Sequence, residues 1–563
     1  MSLTEWEVCQ TISDMVSDEI RNLDLHPIIL QILHARGLIS MQEIKKFLYG
    51  SLTDQWDPFL LKGMDKAVLR IKQAIENNEL ILVHGDYDVD GVTATAVLGK
   101  ALESLGANCY LYLPQRLKGG YGVSKKAVYY AREKKASVIV TVDCGISAYE
   151  EVALANEFGI DFIVTDHHRP SKEDLPDAYS IVDPWQDGCT YPYKDLSGVG
   201  IAYKLACALG VENPENYLDL VAFGTVCDLA TLDGENRILV KYGLAKIDDG
   251  LNPGMTALKK IAGVRSRKSN TGHLGFMYGP RVNASGRLGS ADCALRLLVT
   301  DSKREADSLA LALDAENKER QKLERIILQE AIEKVEREIN FNKDKIIVVW
   351  NRSWHLGVIG IVAQRLVERY QMPSVVISID RTEGMGRGSC RSVKGFNIFN
   401  ALTETRDCLN EFGGHEYAAG IEISEKKLEE FRKRVNEYAH DTVGENNFVK
   451  TFSIDAEIEL ENIESKLLNG LDLLEPYGRS NPKPLFITRN LECKERSIFL
   501  SKNTVKLWVT DGLYTYEALW YKAPVDTKIN KGDKLDVVYN LSQRRWYSRE
   551  VIIMEVKDIR LKK

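Results

Sequence analysis

His84, Asp86, Asp88 and Asp90 occupy alternate positions in the stretch HGDYDVDG. Carboxylates this close repel one another, and burial raises the cost unless a cation or a bound proton relieves it. A positive charge belongs beside them. Asp143 in VDCG, Asp166, His167 and His168 in TDHH, and Asp228 in FGTVCDL extend the set with further carboxylates and imidazoles. Together they are enough for two divalent ions. Oxygen-rich ligation with some imidazole suits Mn²⁺ or Mg²⁺ better than a structural zinc, which favours cysteine. The plainer alternatives are a solvated acidic turn or calcium loop for DYDVDG, a capping aspartate before a surface histidine pair for DHH, and cap or turn roles for Asp143 and Asp228. DYDVDG follows an apolar run and lacks the terminal glutamate of an EF-hand loop. Four such signals also recur at equivalent places, which favours the metal.

The elements that must position these residues are legible as periodicity. From residue 79, the short apolar runs ELILV, CYLYL, SVIVTV and DFIVT alternate with segments of helical period such as TATAVLGKALESLGA and AVYYAREKKA. That alternation predicts an α/β fold, a parallel sheet with helices on both faces. Ligands in such sheets gather beyond the carboxyl ends of the strands, and HGDYDVDG, DCGIS and DHHRP follow the runs at those ends. If the first strand stays extended, Asp86, Asp88 and Asp90 share one face and Gly91 lets the chain turn into a helix.

The rest of the chain divides by pattern. Residues 1–78 read as a helical segment, 79–300 as the domain carrying the acidic cluster, and 301–340 as a long connecting helix rich in Ala, Leu, Glu, Lys and Arg. A second α/β domain spans 341–447. From 448 to 563 short alternating strands predict a small OB-like β-barrel. Its interleaved aromatic and basic residues suit a single-strand groove and are equally ordinary strand formers. At 563 residues the chain builds several cores, and its net charge of −7 argues mildly against an indiscriminate polyanion binder. Ten scattered cysteines without a CxxC pair, no run of eighteen apolar residues and no basic-then-apolar start lead to the expectation of a cytoplasmic protein with reduced thiols.

In order and spacing, HGDYDVDG, VDCG, TDHH and FGTVCDL resemble the four motifs of the DHH phosphoesterase superfamily. The resemblance implies one ion held by His84 and Asp88 and a second by Asp90, His167 and Asp228, with Asp143 bridging and Asp86 joining either ion or lying behind them. It implies His168 as the catalytic histidine, donating a proton or a hydrogen bond, and Asp166 as the residue that orients the pair. The reaction would be two-metal phosphodiester hydrolysis. SGVGIAYKLACAL, GPRVNASGRLGSADCALRLL, WHLGVIGIVAQRL, GRGSCRSVKGFNI and FGGHEYAAG are similar to segments of the superfamily's RecJ branch, the single-strand-specific exonucleases. The second α/β domain would then be the DHH-associated domain.

That branch implies hydrolysis of single-stranded DNA from its 5′ end to 5′-mononucleotides in recombination and repair, with single-strand-binding protein and a RecQ-type helicase as partners and no membrane. Ser389 and Arg391 match residues that hold the 5′ phosphate, with Arg116 in LPQR as a third. Gly413, Gly414 and His415 would bring backbone amides close to a phosphate, and Arg281, Asn283 and Arg287 would line the DNA path. The bland alternatives are a surface ion pair for Arg391, a tight turn for Gly413–His415 and an interdomain clamp for the arginines of GPRVNASGR. Two other functions share the same metal centre or fold: a phosphatase or phosphodiesterase for pyrophosphate, short oligonucleotides or cyclic dinucleotides, and a non-catalytic DNA-binding replication factor. The complete ligand set argues against the latter.

Overall fold

The computed structural model of the chain describes residues 4–9, 23–114, 122–170, 174–380, 382, 384–444, 448–501, 503–524, 527–546 and 549–562. They form two compact units. The first comprises Asp57–Asp228 and Gly243–Lys450, and the second Thr4–Trp56, Leu229–Tyr242 and Thr451–Lys563. The N-terminal segment therefore divides at Trp56, and Leu229–Tyr242 groups apart from the residues on either side of it. No described helix is long and apolar enough to cross a membrane.

The first unit opens with a five-stranded parallel sheet. Its strands are β1 (Ile81–His84), β2 (Cys109–Tyr112), β3 (Val138–Val142), β4 (Asp161–Thr165) and β5 (Ser180–Val182), in the order 2-1-3-4-5. All residues of β1 and β3 are buried, as expected of parallel strands covered on both sides. Helices α2 (Lys125–Glu133) and α3 (Tyr149–Glu157) pack on Leu82, Ile139, Phe162 and Val164. Helix α1 (Val89–Ser104) packs against α4 (Gly198–Leu209) and α5 (Leu218–Cys227). These three are apolar nearly all round and correspondingly buried. The order reverses between β1 and β3, and such a switch point leaves a crevice at the strands' carboxyl ends.

Helix α6 (Gly279–Leu288) follows, and α7 (Lys303–Glu338) spans 36 residues, capped by Ser302 accepting from Glu305 N at 3.3 Å. The C-terminal turns of α7 and helix α8 (Leu356–Tyr370) cover one face of a second, mixed sheet. That sheet runs β9-β10-β8-β7-β6, built from β6 (Ile347–Asn351), β7 (Ser374–Ile379), β8 (Met385–Arg391), β9 (Glu411–Gly414) and β10 (Ala418–Ser424). Only β6 and β7 are parallel. Helix α9 (Leu428–Val443) seals the opposite face with Phe431 and Val435.

In the second unit, strands Phe486–Cys493, Lys534–Trp546, Arg549–Lys562, Thr515–Tyr521 and Thr504–Thr510 pair in that order, and the last pairs back to the first. The ring is closed, the five-stranded OB-type barrel that the alternating pattern predicts. Trp520 and Tyr539 belong to its core, whereas Tyr514 and Tyr521 are exposed. Arg237 is 2% exposed in this unit, yet its guanidinium donates to the carbonyls of Phe47, Leu473, Leu474, Glu475 and Pro476 at 2.7–3.3 Å and lies 3.8 Å over the Phe47 ring. Replacing it leaves several buried acceptors without donors. Arg237→Ala is expected to lower stability by about 3 kcal/mol or more. A shift of less than about 1 kcal/mol in urea unfolding would contradict that assignment.

Candidate metal centre and phosphate-gripping site

Several of the acidic and imidazole residues converge at the carboxyl end of the parallel sheet because they end or follow buried strands. His84 is the last residue of β1, Asp143 follows β3, and Asp166 follows β4. Asp143 has φ 62°, a left-handed conformation that aspartate tolerates better than most residues, and this turns the chain sharply at the strand end.

The extended arrangement expected for Asp86, Asp88 and Asp90 is not what forms. β1 ends at His84 and α1 begins at Val89, so Asp90 lies in the first helical turn. Asp88 is the N-cap, its Oδ1 accepting from Asp90 N at 3.0 Å and Gly91 N at 3.1 Å. An aspartate offered two orphan amides caps a helix rather than prolonging a strand. Gly91 is likewise inside the helix, where a Cβ would meet Asp86 N and O at 2.5 Å. It permits close approach of the loop rather than making the turn.

Asp90, His167 and Asp228 offer ligand atoms within 4.8 Å of one another, and Asp143, His167 and His168 form a second such group. Asp228 reaches the site as the C-cap of α5. His167 Nε2 lies 3.0 Å from Asp143 Oδ1 and 3.9 Å from Asp90 Oδ2. Neither His167 Nε2 nor Asp143 Oδ1 makes a hydrogen bond, although both atoms are buried. An imidazole nitrogen and a carboxylate oxygen at this separation could share one cation. His84 Nε2 is also buried without a hydrogen bond, and its Nδ1 stands 3.7 Å from Cys144 Sγ. These orphaned donors fit a divalent cation. Neither three-residue group includes His84, Asp86 or Asp88.

Electrostatics agree with that fit. Burial, followed by repulsion from Asp228, pushes the Asp90 carboxyl up to about 7, and burial with repulsion from Asp90 holds Asp143 well above the carboxylate range. Burial pulls His84 down to about 4, leaving a neutral ring able to ligate. A cation relieves the repulsion among the acids.

Asp166 sits behind the histidine pair. Its Oδ1 accepts from His167 N at 2.8 Å, His168 N at 3.1 Å and His168 Nδ1 at 2.7 Å, while Oδ2 accepts from Ile146 N at 2.9 Å. Burial works against its charge, but the His168 hydrogen bond and the neighbouring imidazoles keep it below its usual range. Burial likewise opposes charge on His168, and Asp166 overrides it, lifting the imidazolium to about 9. The sequence reading missed Asp183. This residue follows β5 as Asp143 follows β3, is fully buried, and its carboxyl is pushed up to about 7 by burial and by Asp166. The signal was present: SIVD repeats the pattern of an apolar run ending in aspartate.

The motifs expected to grip phosphate form a contiguous series leading away from this centre. A Cβ on Gly286 would lie 2.8 Å from Tyr87 O, so α6 packs directly on the loop between Asp86 and Asp88. Arg287 Nη1 donates to Gly357 O at 3.2 Å at the start of α8. One turn on, a Cβ on Gly360 would stand 3.0 Å from Ser389 Oγ and 3.2 Å from Arg391 Nη2. Arg391 Nη1 in turn donates to Ser389 Oγ at 3.0 Å. Strand register sets Gly413 opposite Gly420, and Gly420 opposite Ser389, so all three share one row across the sheet.

Arg281 donates to Asp314 of α7 at 2.9 Å and to Met277 O. Asn283 is partly buried on α6. Gly414 has φ 142° and a Cβ there would collide with Ala418 O at 2.4 Å, so the β9–β10 hairpin itself demands that glycine; Gly413 has open space and His415 is exposed. Arg116 lies outside the described residues.

Three family models match this chain: the DHH family N-terminal domain over residues 80–225, the DHHA1 domain over 343–441 and the RecJ OB domain over 454–558. The single-stranded-DNA-specific exonuclease RecJ of Bacillus subtilis is 38% identical over 99% of this chain and 71% of its own length. The Escherichia coli protein of that name is 36% identical, over 83% of this chain and 85% of its length. Among solved structures, that of RecJ in complex with Mn²⁺ from Thermus thermophilus superposes with a TM-score of 0.84 at 29% identity, covering 99% of this chain and 80% of that one. A sheet end that gathers carboxylates and imidazoles, a DHHA1 domain and a RecJ OB domain in one chain therefore have one common source: the chain belongs to the RecJ family of single-stranded-DNA-specific exonucleases.

Proposed function

We propose that this chain is a metal-dependent exonuclease that hydrolyses single-stranded DNA 5′ to 3′ and releases 5′-mononucleotides during recombination and repair. The observation that carries the reading is the cluster of buried, hydrogen-bond-free donor atoms on Asp143, His167 and His84, joined through packed loops to Ser389 and Arg391. Asp90, His167 and Asp228 would hold one divalent ion, and Asp143, with His84, Asp86 or Asp88, would complete the site for a second. When bound, Mn²⁺ or Mg²⁺ supplies Lewis-acid activation of water and of the phosphoryl group. His168, kept protonated by Asp166, donates a proton or hydrogen bond to the reacting oxygen. Ser389 and Arg391 hold the terminal phosphate, for which a planar guanidinium is well shaped. Gly413, His415 and Arg287 flank that path, and Arg116 is proposed as a further phosphate ligand.

The setting is cytoplasmic, and single-strand-binding protein and a RecQ-type helicase are the proposed partners, supported by the family resemblance. The function is tested by incubating the purified protein and Mn²⁺ with single-stranded DNA, duplex DNA, a dinucleotide and pyrophosphate. Mononucleotide release from single strands, abolished by EDTA, is the expected result. Turnover of pyrophosphate or dinucleotide alone would replace the exonuclease with a small-substrate phosphatase. Arg391→Ala should reduce kcat/KM on 5′-phosphorylated strands by about 10-fold or more while affecting 5′-hydroxyl strands less. Equal losses on both would remove Arg391 from the phosphate clamp.

A further inference from the structure

The turn Ser197–Gly200, which opens α4, contributes no ligand side chain, yet it touches three of the segments that carry them. Gly198 N donates to Asp90 Oδ2 at 2.8 Å and Val199 N to Asp90 Oδ1 at 2.9 Å, so both oxygens of one carboxylate are gripped by the first amides of a twelve-residue helix. On its other side the turn abuts Asp143. A Cβ on Gly198 would lie 2.5 Å from Asp143 Cβ and Oδ1 and 2.7 Å from Cγ. The backbone conformation at Gly198 is helical and asks for no glycine; the space does. Ser197 Oγ accepts from Gly200 N at 3.2 Å and pairs with Thr225 Oγ1 at 2.7 Å, tying the turn to α5, whose C-cap is Asp228.

We infer that Gly198 is a positioning residue that sets the separation of Asp90 and Asp143, and through it the affinity for divalent cations. The inference rests on the metal-centre reading above. Carboxylate ligands need their unused lone pairs held, and outer partners of this kind commonly alter metal affinity 10- to 100-fold. Here the partner is a backbone turn, and its one essential side-chain property is having none. A methyl group at residue 198 must displace either the Asp143 carboxylate or the helix start that grips Asp90.

The test is calorimetric titration of Mn²⁺ into the DNA-free, full-length protein, read as binding rather than activity. Gly198→Ala is expected to weaken binding by about 10-fold or more. Gly275→Ala, whose Cβ would find its nearest neighbour, Val226 Cγ1, at 3.8 Å, should bind Mn²⁺ as the unaltered protein does. Undiminished binding in Gly198→Ala overturns the inference, as does equal weakening in Gly275→Ala, which would reveal a general effect of an added methyl group. Should Gly198→Ala lack native circular dichroism, Gly224→Ala takes its place, because a Cβ there would stand 2.2 Å from Thr93 Oγ1, 2.7 Å from Val199 Cγ1 in the same turn and 2.8 Å from Asp90 Oδ1, so the added methyl group presses on the turn's grip of Asp90. Unchanged affinity in that variant equally overturns the proposal. Failure of the unaltered protein to bind Mn²⁺ would instead remove the metal-centre reading beneath it.

Discussion

Asp143→Ala is expected to abolish hydrolysis in Mn²⁺ and in Mg²⁺ alike, with a fall of at least about 1,000-fold, on the order of 4 kcal/mol in barrier height. Asp143 belongs to one of the three-residue groups, and its Oδ1 is 3.0 Å from His167 Nε2, which belongs to both. Removing its carboxylate takes away a ligand and also the body against which Gly198 packs. The fold should survive, because the substitution deletes a buried group that burial and repulsion already make unfavourable as an anion. Mn²⁺ binding should weaken together with activity. Retention of full activity at saturating metal would sink the assignment of Asp143 to the centre.

His168→Ala is expected to lower kcat by about 100- to 10,000-fold, the range for loss of a positioned proton donor, while leaving Mn²⁺ binding intact. The distinction follows from Asp166. That carboxylate also accepts from the backbone amides of His167, His168 and Ile146, so losing the His168 ring leaves it hydrogen-bonded and His167 in place. His168 Nδ1 is engaged by Asp166, and the side chain is about 40% exposed. Because His168 also lies within reach of Asp143 and His167, a variant that loses both activity and metal would make it a ligand instead.

The parallel sheet and the residues at its strand ends are legible in sequence for one reason. Strands buried on both faces read as short continuous apolar runs, and the chain must leave each at the same end of the sheet. The local geometry of Asp86–Asp90 is not legible in the same way. Alternation suggests a strand, but Asp88 finds the amides of Asp90 and Gly91, and capping prevails over extension. Arg281 illustrates a different limit. Its partner Asp314 lies on α7, far along the chain, and no local pattern foretells that contact. Gly198 was visible only as part of SGVGIAYKLACAL; that its missing side chain makes room for Asp143 is a property of two distant segments brought together.

The decisive measurement is a time course on single strands carrying a 5′-phosphate and a radiolabel at either end, with purified protein and Mn²⁺. Release of 5′-labelled mononucleotide from the first time point, with 3′ label persisting in progressively shorter strands, is the predicted result. Immediate release of 3′ label, or internal fragments without mononucleotide, would contradict a 5′-end-gripping exonuclease built from these residues.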